Sequence, residues 1–280
     1  FVGSNLKNFL KDKNYEVITF GRHNFNDVKF DILKTKKINN FKNKIDILIN
    51  NGSVSVNEFY RKKNIKKKDI VKVIESELRS LEILIKFCKS NKIKKFIFIS
   101  SASVYGKNKK KKPFNTKQIT NPTDIYGGLK LAMEILGSKL FKNFISLRLF
   151  QVYGLNDLKF RLVPSVIDKK KIKVKNPYNV TDLIFYKDLN NLIHKLILSK
   201  KINRGKFNAG TGKPINLLKI VKKIIKLKPK KTFLNFGKRV PKILNYSYAD
   251  KNEIYKNLKW KPSFNINLGI KELINEQKYK

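Results

Sequence analysis

The sequence predicts a doubly wound parallel α/β sheet with a smaller C-terminal lobe. Three observations predict it. Short apolar runs alternate with amphipathic stretches through the first two thirds of the chain, the pattern of strands and crossover helices. A glycine opens the first helical stretch, as it does where a helix follows a tight turn. After Gly154 the alternation loosens, as expected when a second lobe is assembled from the later chain.

Phe1-Val2-Gly3-Ser4-Asn5-Leu6 reads as a helix opening, continued over 3–11, with no strand in front of it. In the phosphate-binding fingerprint the first glycines make the turn and the last permits close helix packing. Gly3 fits that last glycine, although an ordinary loop glycine fits the segment too. The expectation is a chain that begins one strand and two glycines late. Strands follow at 16–20, 46–50, 95–100 and 144–150, and helices at 71–89 and 126–140, where apolar residues recur at three and four. Turns are expected at 176–179 and 205–214, and a helix at 217–226. The expected division is 1–154 for the sheet domain and 155–280 for the lobe, with some later segments returning to the sheet.

The chain has 280 residues, 41% hydrophobic content and a formal charge of +44. That length supports one sizeable core. No stretch is long and apolar enough for a membrane span, and a cytoplasmic location is expected. The single cysteine, Cys88, excludes a disulfide framework or thiolate metal cluster within one chain, and no metal site is expected. So large a positive charge ordinarily points to nucleic acid. Here the excess is almost all lysine, spread from end to end, whereas such partners need focused bases and stacking aromatics. The charge is therefore heavily discounted as a sign of nucleic-acid binding.

The chemistry concentrates in Tyr126-Gly127-Gly128-Leu129-Lys130. A phenol and an ammonium four residues apart share one helix face. Taking a proton from an alcohol near neutral pH requires a tyrosine whose pKa is lowered from about 10, and a nearby cation lowers it. A packed tyrosine beside a solvated lysine fits the same spacing. The run Phe96-Ile97-Phe98-Ile99 ends in Ser100-Ser101-Ala102-Ser103-Val104-Tyr105-Gly106, and ligands bind at the carboxyl ends of such strands.

With these motifs the chain resembles the extended short-chain dehydrogenases/reductases, also called the NAD-dependent epimerase/dehydratase family, which act mostly on nucleotide sugars. The resemblance continues through Leu147-Arg148-Leu149-Phe150-Gln151-Val152-Tyr153-Gly154, Arg161-Leu162-Val163-Pro164, 181–188, 207–212 and 258–262. It implies a Rossmann-type fold with a substrate-binding lobe. It also implies a catalytic set in which Ser101 holds the reacting oxygen, Tyr126 is the acid/base, and Lys130 binds ribose and lowers the tyrosine's pKa. Cofactor contacts are implied at Gly3, Gly52 and Asp31, and substrate contacts at Ser103, Gln151 and Arg239. A homodimer is implied through helices next to the Tyr126 helix. The asparagine that relatives carry on the preceding helix falls at Ser76.

Departures from the family pattern refine these expectations. Strand 16–20 ends in Gly21-Arg22, where NAD-preferring members place an acid for the ribose 2′-hydroxyl. Arg22 offers a fork donor to a 2′-phosphate, so NADP(H) is expected, with NAD as the other choice. An arginine usual before the aspartate of Thr181-Asp182 is missing. The Asp-Glu pair of the 4,6-dehydratases is replaced by Ala102-Ser103. The sequence therefore predicts a nucleotide-sugar 4-epimerase or 4-ketoreductase. The alternatives are a reductase of a non-nucleotide alcohol or ketone, and a non-catalytic dinucleotide- or RNA-binding protein on the same fold.

Overall fold

The computed structural model of the chain describes residues 1–21, 26–29, 31, 38, 44–52, 67–228, 231–237 and 244–278. Its centre is a four-stranded parallel sheet in the order Gly205–Ala209, Phe144–Leu149, Lys95–Ser101, Ile47–Asn50. Strand Lys95–Ser101 shows why the sheet is covered on both faces. Phe96 and Phe98 join a cluster with Leu81, Leu84, Cys88, Met133 and Phe144. Ile97 and Ile99 point the other way, into a cluster with Leu6, Leu10, Leu189 and Ile193. Because successive side chains alternate across a strand, helices Lys67–Ser90 and Ile125–Leu140 cover one face, and Val2–Lys11 and Tyr186–Leu198 the other. This is the doubly wound arrangement. Each large apolar side chain so buried contributes about 1.5–3 kcal/mol. No helix among the described residues is long and apolar enough to cross a membrane.

Two expectations are corrected. The strand at 16–20 is reduced to Phe20–Gly21, which pairs in parallel with Val28–Lys29. Segment 15–19 joins no ladder among the described residues. Thr19 instead gives its N–H and hydroxyl to the Asp27 carboxylate at 2.7 and 2.6 Å. The stretch 205–214 is not all turn, since Gly205–Ala209 pairs with Ile145 to Leu149 in the main sheet. Its glycines at 205, 210 and 212 suggested a loop, but Phe207, Asn208 and Ala209 between them are buried.

After Gly154 the chain builds smaller sheets. Lys171–Val174 pairs with Phe233–Phe236, and Val180–Thr181 lies between Ile215–Asn216 and Tyr246–Ser247. The turn at 176–179 is present, closed by Asn179 N–H on the Asn176 carbonyl at 3.0 Å. Helix Leu217–Leu227 matches the one expected there. Two buried lysines hold helix ends: Lys95 Nζ donates to the carbonyls of Leu196 and Ser199 at 2.7 and 2.8 Å, and Lys228 Nζ to those of Val166 and Lys169 at 2.8 and 2.9 Å. An ammonium among the last carbonyls of a helix satisfies acceptors that have no partner within it.

Candidate active site

Parallel strands run the same way, so their carboxyl ends share one edge. Ser101 ends the central strand there and pairs with Leu149, which also pairs with Ala209. Beyond Ser101 the chain turns into a short 3₁₀ helix, Ala102–Tyr105, with the Ser101 hydroxyl accepting from Ser103 N–H at 3.1 Å and the two hydroxyls 3.1 Å apart. Helix Ile125–Leu140 starts against this turn. Asp124 caps it by accepting from Gly127 N–H at 2.7 Å. Gly127 is required by contact: a Cβ there would stand 2.6 Å from the Ser103 carbonyl oxygen.

This close approach sets the Tyr126 phenol near enough to Ser101 for the serine hydroxyl to lower its pKa. Lys130, one turn on, is 3% exposed. Its Nζ donates to the Ile99 carbonyl at 3.2 Å and lies 5.8 Å from the centre of the Tyr126 ring. The structure therefore brings Ser101, Tyr126 and Lys130 together. The electrostatics differ from the expectation. Burial raises the pKa of Tyr126, and the negative charges of Glu77 and Asp124 raise it further, against the Ser101 hydroxyl and the Arg161 charge, which lower it. Lys130 lies beside the ring but is itself so desolvated that its pKa falls to about 8.

Of the other expected residues, Ser103 belongs to the 3₁₀ turn beside Ser101. Gln151, exposed at the start of strand Gln151–Tyr153, accepts from Arg161 Nη2 at 3.1 Å. Gly3 lies in the first turn of Val2–Lys11, where a Cβ would come 3.0 Å from the Asn51 amide nitrogen. Gly52 follows strand Ile47–Asn50 and gives its N–H to the Asn50 side chain at 3.1 Å. Asp31 is half-buried just beyond Val28–Lys29. Arg22 and Arg239 lie outside the described residues. Thr181 is buried in its strand.

A dinucleotide fits this edge. The first turn of Val2–Lys11 has no side-chain cap, and such N–H groups receive phosphate oxygens. Gly3 keeps that turn close to the strand end. The Asn50 amide nitrogen, buried beside Gly52, has no hydrogen-bond partner and remains free to donate.

Three further residues belong to the site. Glu77, not Ser76, is the residue of helix Lys67–Ser90 whose charge acts on both Tyr126 and Lys130, whereas the Ser76 hydroxyl is taken up by the Val73 carbonyl at 2.9 Å. Arg161, noted only within a motif, reaches Gln151 and pairs with Asp157 at 3.1 Å. Glu134 continues the Tyr126/Lys130 face and is wholly buried. It takes Arg148 Nη2 at 2.6 Å, Arg148 Nε at 3.0 Å and the Ser100 hydroxyl at 2.5 Å. The spacing 126, 130, 134 was the available signal for Glu134 and the 161–164 motif for Arg161; for Glu77 the sequence offered none. A separate cavity of about 610 Å³ lies in the C-terminal lobe, lined by Val180, Thr211, Lys213, Tyr246 and Phe264 among others and by none of the triad.

The family model described as the NAD dependent epimerase/dehydratase family matches residues 1–210. An uncharacterised protein of Methanocaldococcus jannaschii is 29% identical over 276 residues, covering 94% of this chain and 80% of its own. A Dictyostelium discoideum protein named dTDP-D-glucose 4,6-dehydratase is 28% identical over 267 residues, and the match spans 81% of this chain but only 60% of that protein's length. Among solved structures, UDP-glucose 4-epimerase from Bifidobacterium longum in complex with NAD+ and UDP superposes with a TM-score of 0.81 at 22% identity, covering 100% of this chain and 96% of that one. This last is a likeness of fold.

Proposed function

Because the chain belongs to the NAD dependent epimerase/dehydratase family, we propose that it is a nicotinamide-dependent enzyme that transfers a hydride at C4 of a nucleotide sugar, as a 4-epimerase or a 4-ketoreductase. The observation that carries this reading is the meeting of Ser101, Tyr126 and Lys130 at the carboxyl edge of the sheet. The Ser101 hydroxyl donates to the sugar C4 oxygen and fixes its position. The Tyr126 phenol moves the proton to or from the same oxygen, and the Lys130 ammonium steadies the phenolate. Gly3, Asp31, Gly52 and Lys130 would hold the dinucleotide, whose nicotinamide supplies the hydride acceptor or donor when bound. Gly21-Arg22 supports NADP(H) over NAD, since no acid follows that strand to repel a 2′-phosphate.

Ser103, Gln151 and Arg239 are the substrate contacts in this reading, with the Arg161 guanidinium beside Gln151 as an added anchor. Against dehydration at C6, Ala102 and Ser103 carry no carboxyl group with which to protonate a leaving hydroxyl. The exposed apolar residues Ile125, Leu136 and Leu140 on the Tyr126 helix support a homodimer.

Tyr126→Phe removes the proton and keeps the ring. Turnover on a panel of UDP- and dTDP-sugars with NAD(H) or NADP(H) is expected to fall by about 10²–10⁴-fold, with dinucleotide affinity nearly unchanged. Undiminished turnover in that variant sinks the assignment.

A further inference from the structure

The strand that ends in Ser101 carries a buried polar row one residue back from its edge. Ser100 projects from the same face as Phe96 and Phe98, since side chains alternate along a strand. The register sets Arg148 beside it on the next strand and Asn208 beside Arg148 on the one after. All three are buried. Glu134 comes down on this row from helix Ile125–Leu140, about one turn beyond Lys130 and about two beyond Tyr126. Its carboxylate takes Arg148 Nε at 3.0 Å, Arg148 Nη2 at 2.6 Å and the Ser100 hydroxyl at 2.5 Å.

This row holds Ser101 from both sides. Ser100 precedes it, and Tyr105 closes the 3₁₀ turn that follows it. The Tyr105 ring centre lies 4.7 Å from the Arg148 guanidinium carbon, and its hydroxyl donates to the Asn208 side chain at 2.8 Å. Elsewhere the helix meets the sheet through apolar residues such as Met133, which joins Phe98 and Phe144 in one cluster, and apolar burial has no direction. The ion pair has one. A bidentate arginine–carboxylate pair admits a narrow range of orientations, whereas desolvation leaves it little or no more stabilising than apolar residues of the same volume. Both side chains are at most 1% exposed.

We propose that Glu134 and Arg148 are positioning residues for proton transfer, which hold the strand end carrying Ser101 and the helix carrying Tyr126 and Lys130 in one register. This rests on the assignment of Ser101, Tyr126 and Lys130 to the hydride-transfer site. Neither residue touches the reacting atoms in this arrangement. Glu134 acts through its helix on the phenol and through Ser100 on the serine, and Arg148 ties that carboxylate to the middle of the sheet. A shift of about 1 Å between phenol and serine is enough to cost turnover about 10²-fold.

The test on the whole protein replaces the pair by apolar residues, Glu134→Leu with Arg148→Met in one chain, beside Glu134→Gln alone. Glu134→Gln leaves Arg148 buried without a counter-charge and is expected to unfold at lower urea than the wild type. The apolar pair removes both charges, so its urea midpoint should return to the wild-type value or above. A purely structural role predicts that turnover returns with the fold. A positioning role predicts that it does not: kcat on the panel of UDP- and dTDP-sugars should stay about 10²-fold below wild type, with KM for the dinucleotide nearly unchanged. A crystal structure of the apolar-pair variant should show the Tyr126 hydroxyl displaced from Ser101 by about 1 Å or more, a readout that needs no substrate. If that variant does not fold, Ser100→Ala cuts only the strand's bond to Glu134, and kcat should fall about tenfold, the worth of one hydrogen bond to a charged group. Wild-type kcat or an unmoved Tyr126 in the apolar-pair variant overturns the proposal, as does wild-type kcat in Ser100→Ala where that variant takes its place. Tyr126→Phe keeps the two readings apart: full turnover there removes the hydride-site assignment, whereas full turnover in the apolar pair beside an impaired Tyr126→Phe removes only the positioning role.

Discussion

At the scale of single residues, the chain places a carboxylate with four hydrogen bonds where the sequence suggested only a motif flank. Asp182 is fully buried. Its Oδ1 accepts from Thr211 N–H and hydroxyl at 2.8 and 2.5 Å, and its Oδ2 from Gly212 N–H at 2.8 Å and Ala249 N–H at 3.2 Å. Two separate segments, 211–212 and 249, hang on one side chain. Burial nonetheless outweighs those bonds and raises its pKa, so its stabilising contribution is complete below the ordinary carboxylate value and is lost as pH rises through the raised folded one. Asp182→Asn keeps the shape but turns one oxygen into an N–H donor facing donors. A loss of about 3 kcal/mol is expected, from two or more unsatisfied buried groups, read by urea unfolding at neutral pH; a loss below about 1 kcal/mol would show that the loops re-pair elsewhere. The proximity of Ser101, Tyr126 and Lys130 was legible because the three residue types sit in an ordered motif. Glu77 was not, because a charged residue inside an amphipathic helix looks like its solvent face, and only packing against a second helix reveals that it is buried.

At the scale of elements, helix Ile125–Leu140 carries two adjacent glycines with opposite constraints. Gly128 has nothing within 4 Å of its missing Cβ, whereas Gly127 lies against the Ser103 carbonyl at 2.6 Å. In an open helical position Gly→Ala stabilises by about 0.5–1 kcal/mol. Gly128→Ala is expected to gain about that much and to keep its turnover. Gly127→Ala must push the helix off the backbone of the 3₁₀ turn, which moves Tyr126 relative to Ser101. A loss of about 1–3 kcal/mol and a drop in turnover of roughly 10²-fold are expected, checked by thermal unfolding and initial rates. Equal behaviour of the two variants would mean that the contact does not set the geometry. Periodicity located this helix to within a residue at its start. It failed for the strand at 16–20, because alternation predicts an extended chain but a strand exists only where a neighbour completes its ladder. It failed again at 205–209, where flanking glycines outweighed a short buried run.

At the scale of the whole molecule, an apolar stripe and a large net charge act against each other. Ile125, Leu136 and Leu140 recur at helical spacing on one side of the Tyr126 helix and are 45%, 41% and 45% exposed, with Ala132 half-buried between them. Pairing two such stripes would bury them, but each copy carries a formal charge of +44. Like charges over a whole surface resist association, and salt shortens their reach from about 20–30 Å near 10–20 mM to about 4–5 Å near 500 mM. Association through this stripe should therefore strengthen with salt, the reverse of contact with nucleic acid, which weakens as counter-ions compete. Light scattering after size exclusion is expected to give a mass rising from one chain towards two between about 20 and about 500 mM NaCl. Leu136→Lys, which puts one more charge at the centre of the stripe, should hold the protein at one chain throughout. A wild type that stays monomeric at high salt would count against the homodimer, and a dimer that survives Leu136→Lys would place the interface on another face.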